Sequence, residues 1–286
     1  MSKTIDTLVE DIYTSLEPLT NGEAIDVSDD LIEEFGEAMK QAFIGWARPT
    51  PRDSNFNLRM SNIGKPLRRL WYDSRAEGKD GDLSPSLMIK FLYGHLLEEL
   101  VLLLVKISGH EVTSQQKEIA VDSIAGHMDC KIDGEVVDVK TASSFAFSKF
   151  KYGTLAENDP FGYLSQLAGY EAAEGTNSGG FLVINKESGE LCLFIPEDLD
   201  KPNIKNRINI VKDVIATDSP PERCYPVEAD GAKGNEKISK NCSYCSYKYD
   251  CYADANDGQG LRTFKYAKGL VHLTKVVVAP NVEEVL

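Results

Sequence analysis

The sequence predicts an α/β fold: a mixed central sheet flanked by helices, with a helical region ahead of it and a cysteine-rich segment behind it. Three observations carry this. Between Ser84 and Ile195 the periodicity runs helix, three strands, helix, two strands, an alternation that suits helices packed on a sheet. Asp133-Gly134, set between two short apolar alternations, is a strong local signal for a hairpin. Four of the six cysteines fall between positions 224 and 251, outside that alternation.

Residues 1 to about 45 are acidic and place Leu8, Ile12 and Leu16, then Leu31, Phe35, Met39 and Phe43, at helical spacing. Arg48 to Asn57 is rich in proline and polar residues and reads as a loop. Leu58 to Tyr72 is basic, with Trp71 and Tyr72 available for packing. Ser84-Pro85 opens a helix that runs through Gly94 to about Ile107 and stops near Gly109. Glu111 to Val121, the hairpin, Gly180 to Asn185 and Leu191 to Ile195 read as strands. Asp159-Pro160 supplies an N-cap and first turn for a helix ending near Gly175. Pro202 to Ala216 is helical in pattern, and Leu273 to Val278 has strand propensity. The expected division is 1–83 (helical, with the basic patch), 84–200 (the core) and 201–286 (helical, with four cysteines).

With 286 residues, 42% of them hydrophobic, the chain can bury a sizeable core. No run reaches the ~18–20 apolar residues of a membrane span, and Met1 to Asp6 lacks the apolar centre of a signal peptide, so a cytoplasmic location without membrane contact is expected. A net charge of −14 argues against a simple nucleic-acid coat. It leaves room for an enzyme with its cations gathered on one surface. Arg48, Arg52, Arg59, Lys65, Arg68, Arg69 and Arg75 form such a group against only Asp53 and Asp73.

With Asp133 and Gly134 as the two turn residues, Asp129 faces Asp138 and His127 faces Lys140. Alternation sends Asp138 and Lys140 to one face and Val137 and Val139 to the other. Two opposed carboxylates roughly 5 Å apart on a sheet repel each other. A divalent cation reverses that sign, because hard cations take oxygen ligands from one or two carboxylates. A metal site with a lysine beside it suits phosphodiester hydrolysis.

These residues resemble the PD-(D/E)XK nuclease superfamily, and within it the RecB-like and lambda-type exonucleases. Gly126-x-x-Asp129 resembles the family's strand acid, and Asp138-Val139-Lys140 its (D/E)-x-K triplet. Gly94-His95-Leu96-Leu97-Glu98 resembles its upstream helix acid, and Gln166-Leu167-Ala168-Gly169-Tyr170 its Q-x-x-x-Y helix. The resemblance covers residues 94 to 170 and implies a restriction-endonuclease-like core. It also implies one or two Mg²⁺ or Mn²⁺ ions held by Asp129, Asp138, the Val139 carbonyl and Glu98. Lys140 would orient the hydroxide or stabilise the phosphorane-like charge, and Gln166 and Tyr170 would position water, Lys140 or a phosphate. Glu99 and His95 are the competing candidates on the helix, and Tyr163 shares a face with Gln166 and Tyr170.

Cys130 and Cys192 lie in strand patterns and are expected to pack as small apolar residues. Cys242-x-x-Cys245 followed by Cys251 resembles the C-terminal cysteines of iron–sulfur nucleases in the RecB group. Those relatives carry their fourth cysteine upstream, near a segment like Met60 to Tyr72, where this chain has none; Cys224 is the replacement. Four thiolates suit [4Fe–4S], the favoured reading, or structural Zn²⁺.

The resulting expectation is a metal-dependent DNA exonuclease acting in DNA recombination or processing, phage-encoded and working in the host cytoplasm. Its partners would be DNA and a recombination protein, and ring-forming relatives extend the expectation to a homo-oligomer. The same residues would serve a structure- or site-specific endonuclease. A catalytically silent DNA-binding subunit is the reading from another class, and the retained Asp129, Asp138 and Lys140 argue against it.

Overall fold

The computed structural model describes residues 3–49, 56–76 and 84–285. Most of the loop expected over Arg48 to Asn57, including Arg52 and Asp53, lies outside the described residues. The chain forms two compact units, one of residues 1–64 and 82–210, the other of residues 65–81 and 211–286.

The first unit is a mixed α/β structure whose central sheet is flanked by helices. It starts with α1 (Leu8–Thr20) and α2 (Asp29–Ala47), the latter capped by Ser28, whose hydroxyl accepts from the Leu31 N–H. Helix α3 (Leu67–Asp73) belongs to the second unit. Helix α4 (Pro85–Ile107) begins where Ser84-Pro85 predicts, with the Ser84 hydroxyl accepting from the Leu87 N–H. Five strands then build the sheet region: β1 (Val112–Thr113), β2 (Lys117–Val121), β3 (Ile124–Met128), β4 (Cys130–Ile132) and β5 (Glu135–Ala142). After α5 (Ser144–Lys151) and α6 (Tyr163–Glu174) come β6 (Gly180–Asn185) and β7 (Leu191–Phe194). The central order is β1-β4-β5-β6-β7, with β5 and β6 parallel and every other pair antiparallel.

The hairpin register is the expected one: Ile132 pairs with Glu135, Lys131 with Val136 and Cys130 with Val137. Asp133 and Gly134 both take positive φ, 51° and 90°, as a type I′ turn demands. Val137 and Val139 join a core with Ile5, Leu8 and Ile12 of the N-terminal helical segment and Val101, Leu102 and Val105 of α4. Cys130 is fully buried in that same core. On the opposite face Phe150, Tyr163, Phe181 and Phe194 pack ring to ring.

Four sequence expectations are corrected. Glu111 to Val121 is not one strand: Ser114 and Gln116 hold φ of 54° and 51°, and the break sends β2 into a separate two-stranded sheet with β3. His127 therefore pairs with Glu118 and is exposed, rather than facing Lys140. Helix α6 starts at Tyr163, not at Pro160, because Gly162 turns left-handed (φ 78°) while Asp159 accepts from the N–H groups of Gly162 and Leu164. Helix α5, capped by Ser143, stands where no helix was expected.

Helix α7 (Ile204–Ile215) lies where Pro202 to Ala216 is helical in pattern. The second unit then differs from a helical segment. It carries an antiparallel sheet of β8 (Glu228–Asp230), β9 (Asn235–Lys237), β10 (Arg262–Tyr266), β11 (Gly269–Lys275) and β12 (Glu284–Val285), in the order β12-β10-β11-β9-β8. The cysteine segment contributes the single turns α8 (Lys240–Ser243) and α9 (Lys248–Cys251), followed by α10 (Ala255–Gly258). Among the described residues no helix is long and apolar enough to cross a membrane.

Candidate active site and cysteine cluster

The β4–β5 ladder ends at the pair Cys130–Val137, one residue short of Asp129. Freed from pairing, the Asp129 side chain turns along the gap, and its Oδ2 accepts from the Val139 N–H at 2.9 Å. A strand residue points its N–H and C=O to the same side, so the Val139 carbonyl faces that gap as well. Asp138 and Lys140 project to the other face of β5, as alternation requires.

The Asp138 side chain is fully buried. The Lys140 ammonium contacts its Oδ2, yet neither carboxylate oxygen receives an aligned hydrogen bond. Buried polar groups are normally satisfied; Lys140 balances Oδ2, and Oδ1 is the oxygen left with no hydrogen-bond partner among the described residues, open to a second cation. Lys140 is 19% exposed. Burial opposes its charge, but the carboxylates of Asp138 and Asp129 outweigh that and raise its pKa, so it stays an ammonium.

Glu98 reaches this group from α4. Burial, followed by the charges of Glu99 and Asp138, pushes its pKa up to about 7 against the opposing effects of Lys140 and Gln116. Asp129 is raised well above the usual carboxylate range, first by burial and then by the charge of Asp138. Glu99 lies instead among Lys106, His95 and Glu34, and His95 is exposed. Glu98 is thus the acid that α4 turns toward Asp138 and Lys140.

Helix α6 supplies the remaining candidates. Gln166 donates from Nε2 to the Tyr170 hydroxyl at 2.7 Å. Tyr170 is almost wholly buried, and burial with the nearby charge of Asp138 raises its pKa, keeping the phenol protonated. Lys140 Nζ lies 5.0 Å from the centre of the Tyr163 ring. Helix α6 packs closely on the turn that carries Met60 through Gly169, where an added Cβ would sit 2.1 Å from the Met60 sulfur.

One contributor has no sequence signal. Gln116, in the break between β1 and β2, donates from Nε2 to Glu98 Oε1 at 2.9 Å, while its own N–H donates to the Asp129 carbonyl. Nothing in the residues around Gln116 marks the left-handed backbone that brings it there.

The carboxylates are gathered but not drawn to a point: among the described residues no three His, Cys, Asp or Glu side chains stand as a ready-made metal cage. The donor set still fits a hard cation: three carboxylates, two of them with raised pKa values, a carbonyl in the same gap and a single lysine.

In the second unit all four C-terminal cysteines are free thiols. Cys242 feels the charges of Cys224, Cys245 and Cys251, and burial with those neighbours pushes its pKa up to about 11. Arg68 donates from Nε to Cys251 Sγ at 3.1 Å, and Cys224 accepts from the backbone N–H groups of Arg68 and Arg69. The four thiols lie near one another without forming a ready-made cage either, and their softness, with donors aimed at sulfur, is the chemistry of a thiophilic metal or cluster.

The basic stretch is divided between the two units. Arg48 and Arg59 belong to the first unit, whereas Lys65, Arg68, Arg69 and Arg75 belong to the second. There Lys65 pairs with Asp73 at 3.3 Å, and Arg75 stacks over Trp71 at 4.0 Å while donating to the Ile215 carbonyl. Lys65, Arg68 and Arg75 thus have local structural partners.

No family model matches the sequence, and no curated protein does. A solved structure, that of SSO0001, is similar with a TM-score of 0.39 and 17% identity, covering 76% of this chain and 94% of that one. A likeness that loose carries no argument.

Proposed function

We propose that the chain is a divalent-metal-dependent deoxyribonuclease on a restriction-endonuclease-like core, acting as an exonuclease in DNA recombination or processing in a phage setting. The observation that carries this is Asp138: a fully buried carboxylate whose Oδ2 meets Lys140 and whose Oδ1 has no hydrogen-bond partner among the described residues, beside Asp129 and Glu98. Asp129, Asp138, the Val139 carbonyl and Glu98 would hold one or two Mg²⁺ or Mn²⁺ ions. When bound, such an ion lowers the pKa of a water and polarises the scissile phosphate.

The chain's own residues supply the rest. Lys140, held protonated, offers positive charge to the phosphate oxygens as negative charge grows on them, and is not a general base. Tyr170, also protonated, is a donor whose orientation Gln166 fixes. In the second unit Cys224, Cys242, Cys245 and Cys251 would hold [4Fe–4S], with Zn²⁺ as the alternative, to clamp the short turns that carry them.

The test is incubation of anaerobically purified protein with linear and covalently closed circular DNA in Mg²⁺, Mn²⁺ or EDTA, alongside Lys140→Ala. Metal-dependent loss of linear DNA alone, abolished by the substitution, is the expected result. Cutting of closed circles would make it an endonuclease. DNA binding without cleavage under any condition would favour a silent binding subunit.

A further inference from the structure

Phe161, in the turn just before α6, is 59% exposed. A lone exposed phenylalanine carries no argument, since much of any protein surface is apolar. This one differs in three ways. Its ring is stacked on Tyr163, centroids 5.5 Å apart and planes 21° from parallel, so one face is backed while more than half of the residue stays exposed. Tyr163 in turn lies 5.0 Å from Lys140 Nζ, which places Phe161 two aromatic steps from the ammonium beside Asp138.

The third difference is rigidity. Gly162 is buried, left-handed and pressed against Gly64 so closely that a Cβ on either would fall 2.2–2.3 Å from the other's backbone. Asp159 accepts from the N–H groups of Gly162 and Leu164, both at 2.9 Å. Lys149 donates to the Asn158 carbonyl at 2.7 Å, and its ammonium lies 5.6 Å from the ring of Phe145, itself 64% exposed. The loop is over-determined, and its exposed aromatic is pre-positioned rather than floppy.

We propose that Phe161 is a stacking platform for a nucleobase of an unpaired DNA strand, so that the enzyme takes single-stranded ends. Every base presents a π-face, and aromatic platforms interleaved with lysines are how proteins hold single strands without reading sequence. A base in an intact duplex is already paired and stacked on its neighbours, and reaching it costs unstacking energy. The platform therefore favours unpaired DNA beside Lys140. This inference rests on the nuclease reading, which it deepens by naming the substrate.

The test uses a single-stranded oligonucleotide carrying 2-aminopurine, and the same strand in a blunt duplex, each bound in Ca²⁺ and then cleaved in Mg²⁺. The full chain is compared as wild type, Phe161→Ala, Phe161→Tyr and Lys140→Ala. The expected result is quenching of 2-aminopurine on binding, and an affinity for the single strand about 10- to 100-fold weaker in Phe161→Ala. Duplex affinity should change less than about twofold, with Phe161→Tyr restoring the single-strand affinity. Equal single-strand binding by wild type and Phe161→Ala, or equal losses on both substrates, overturns the platform. Cleavage by wild type and none by Lys140→Ala in that case would leave the nuclease standing. Absence of cleavage by wild type would remove the nuclease reading, while the binding ratio would still decide the platform.

Discussion

Gln116 donates a 2.9 Å hydrogen bond to Glu98 from a backbone held at φ 51°, a conformation that costs a non-glycine residue about 1–2 kcal/mol. Strain of this kind persists where it serves a site. Gln116→Gly should relieve it and raise stability by about 1 kcal/mol, yet weaken Mg²⁺ binding about 10-fold by releasing Glu98. Gln116→Ala should lose the affinity without gaining the stability. Chemical denaturation in EDTA and Mg²⁺ titration of each variant separate the two effects. Unchanged Mg²⁺ affinity in both would remove Gln116 from the site.

Glu98 sets a pH dependence with a definite sign. Burial, with Glu99 and Asp138, lifts its pKa from 4.5 to about 7, so between those values the folded chain binds a proton that the unfolded chain does not. Stability without metal should be greatest below pH 4.5 on this account and decline as the pH rises toward 7. A cation must displace that proton, so Mg²⁺ affinity should weaken on acidification from pH 8 to 6, approaching about tenfold per unit below the pKa. Calorimetric titration in two buffers of different ionisation enthalpy measures the released proton. Glu98→Gln should flatten the dependence, and an unaltered slope in that variant would assign the proton elsewhere.

The hairpin was legible because a two-residue turn with positive φ at both positions leaves Asp-Gly few alternatives, and the turn then fixes every pair from Ile132–Glu135 to Cys130–Val137. Legibility ended where the ladder did. Local pattern cannot say that Asp129 leaves the strand to accept from Val139, nor that Gln116 turns left-handed to reach Glu98. The partners of the basic residues were illegible for a related reason. Composition shows seven cations in one stretch, but the partner of Arg68 is Cys251, 183 positions away. The C-terminal sheet was hidden because its strands are short, and three of the five have three residues or fewer.

His110 joins the N-terminal helix to the hairpin. Its side chain is fully buried, with Nδ1 2.6 Å from Asp133 Oδ2 and Nε2 3.0 Å from Asp11 Oδ2. Asp133 is thus both turn residue and anchor, and its other oxygen accepts from the Glu111 N–H. His110→Ala would leave two carboxylates without that partner, and should destabilise the fold by about 2–3 kcal/mol. Urea denaturation reads this directly. DNA cleavage measured well below the melting temperature should stay near wild type, because His110 touches none of the residues assigned to the reaction.

The cysteine cluster yields the last prediction. Arg68 donates to Cys251 Sγ at 3.1 Å, and the same residue's backbone N–H, with that of Arg69, donates to Cys224. One short segment thus holds two of the four sulfurs, including Cys224, which stands in for the upstream cysteine. Cys224→Ser should therefore cost as much bound metal as Cys251→Ser, whereas Cys130→Ser, buried in the core of the other unit, should cost none. Metal and inorganic sulfide analysis of anaerobic protein decides between a cluster, with iron and sulfide in equal amounts, and zinc with no sulfide. Arg68→Ala should speed metal loss to a chelator about 10-fold, and Arg68→Lys should recover part of that, since lysine keeps the charge but not the planar fork. Retention of full metal by Cys224→Ser would show that three cysteines suffice, and that Cys224 only packs against the helix.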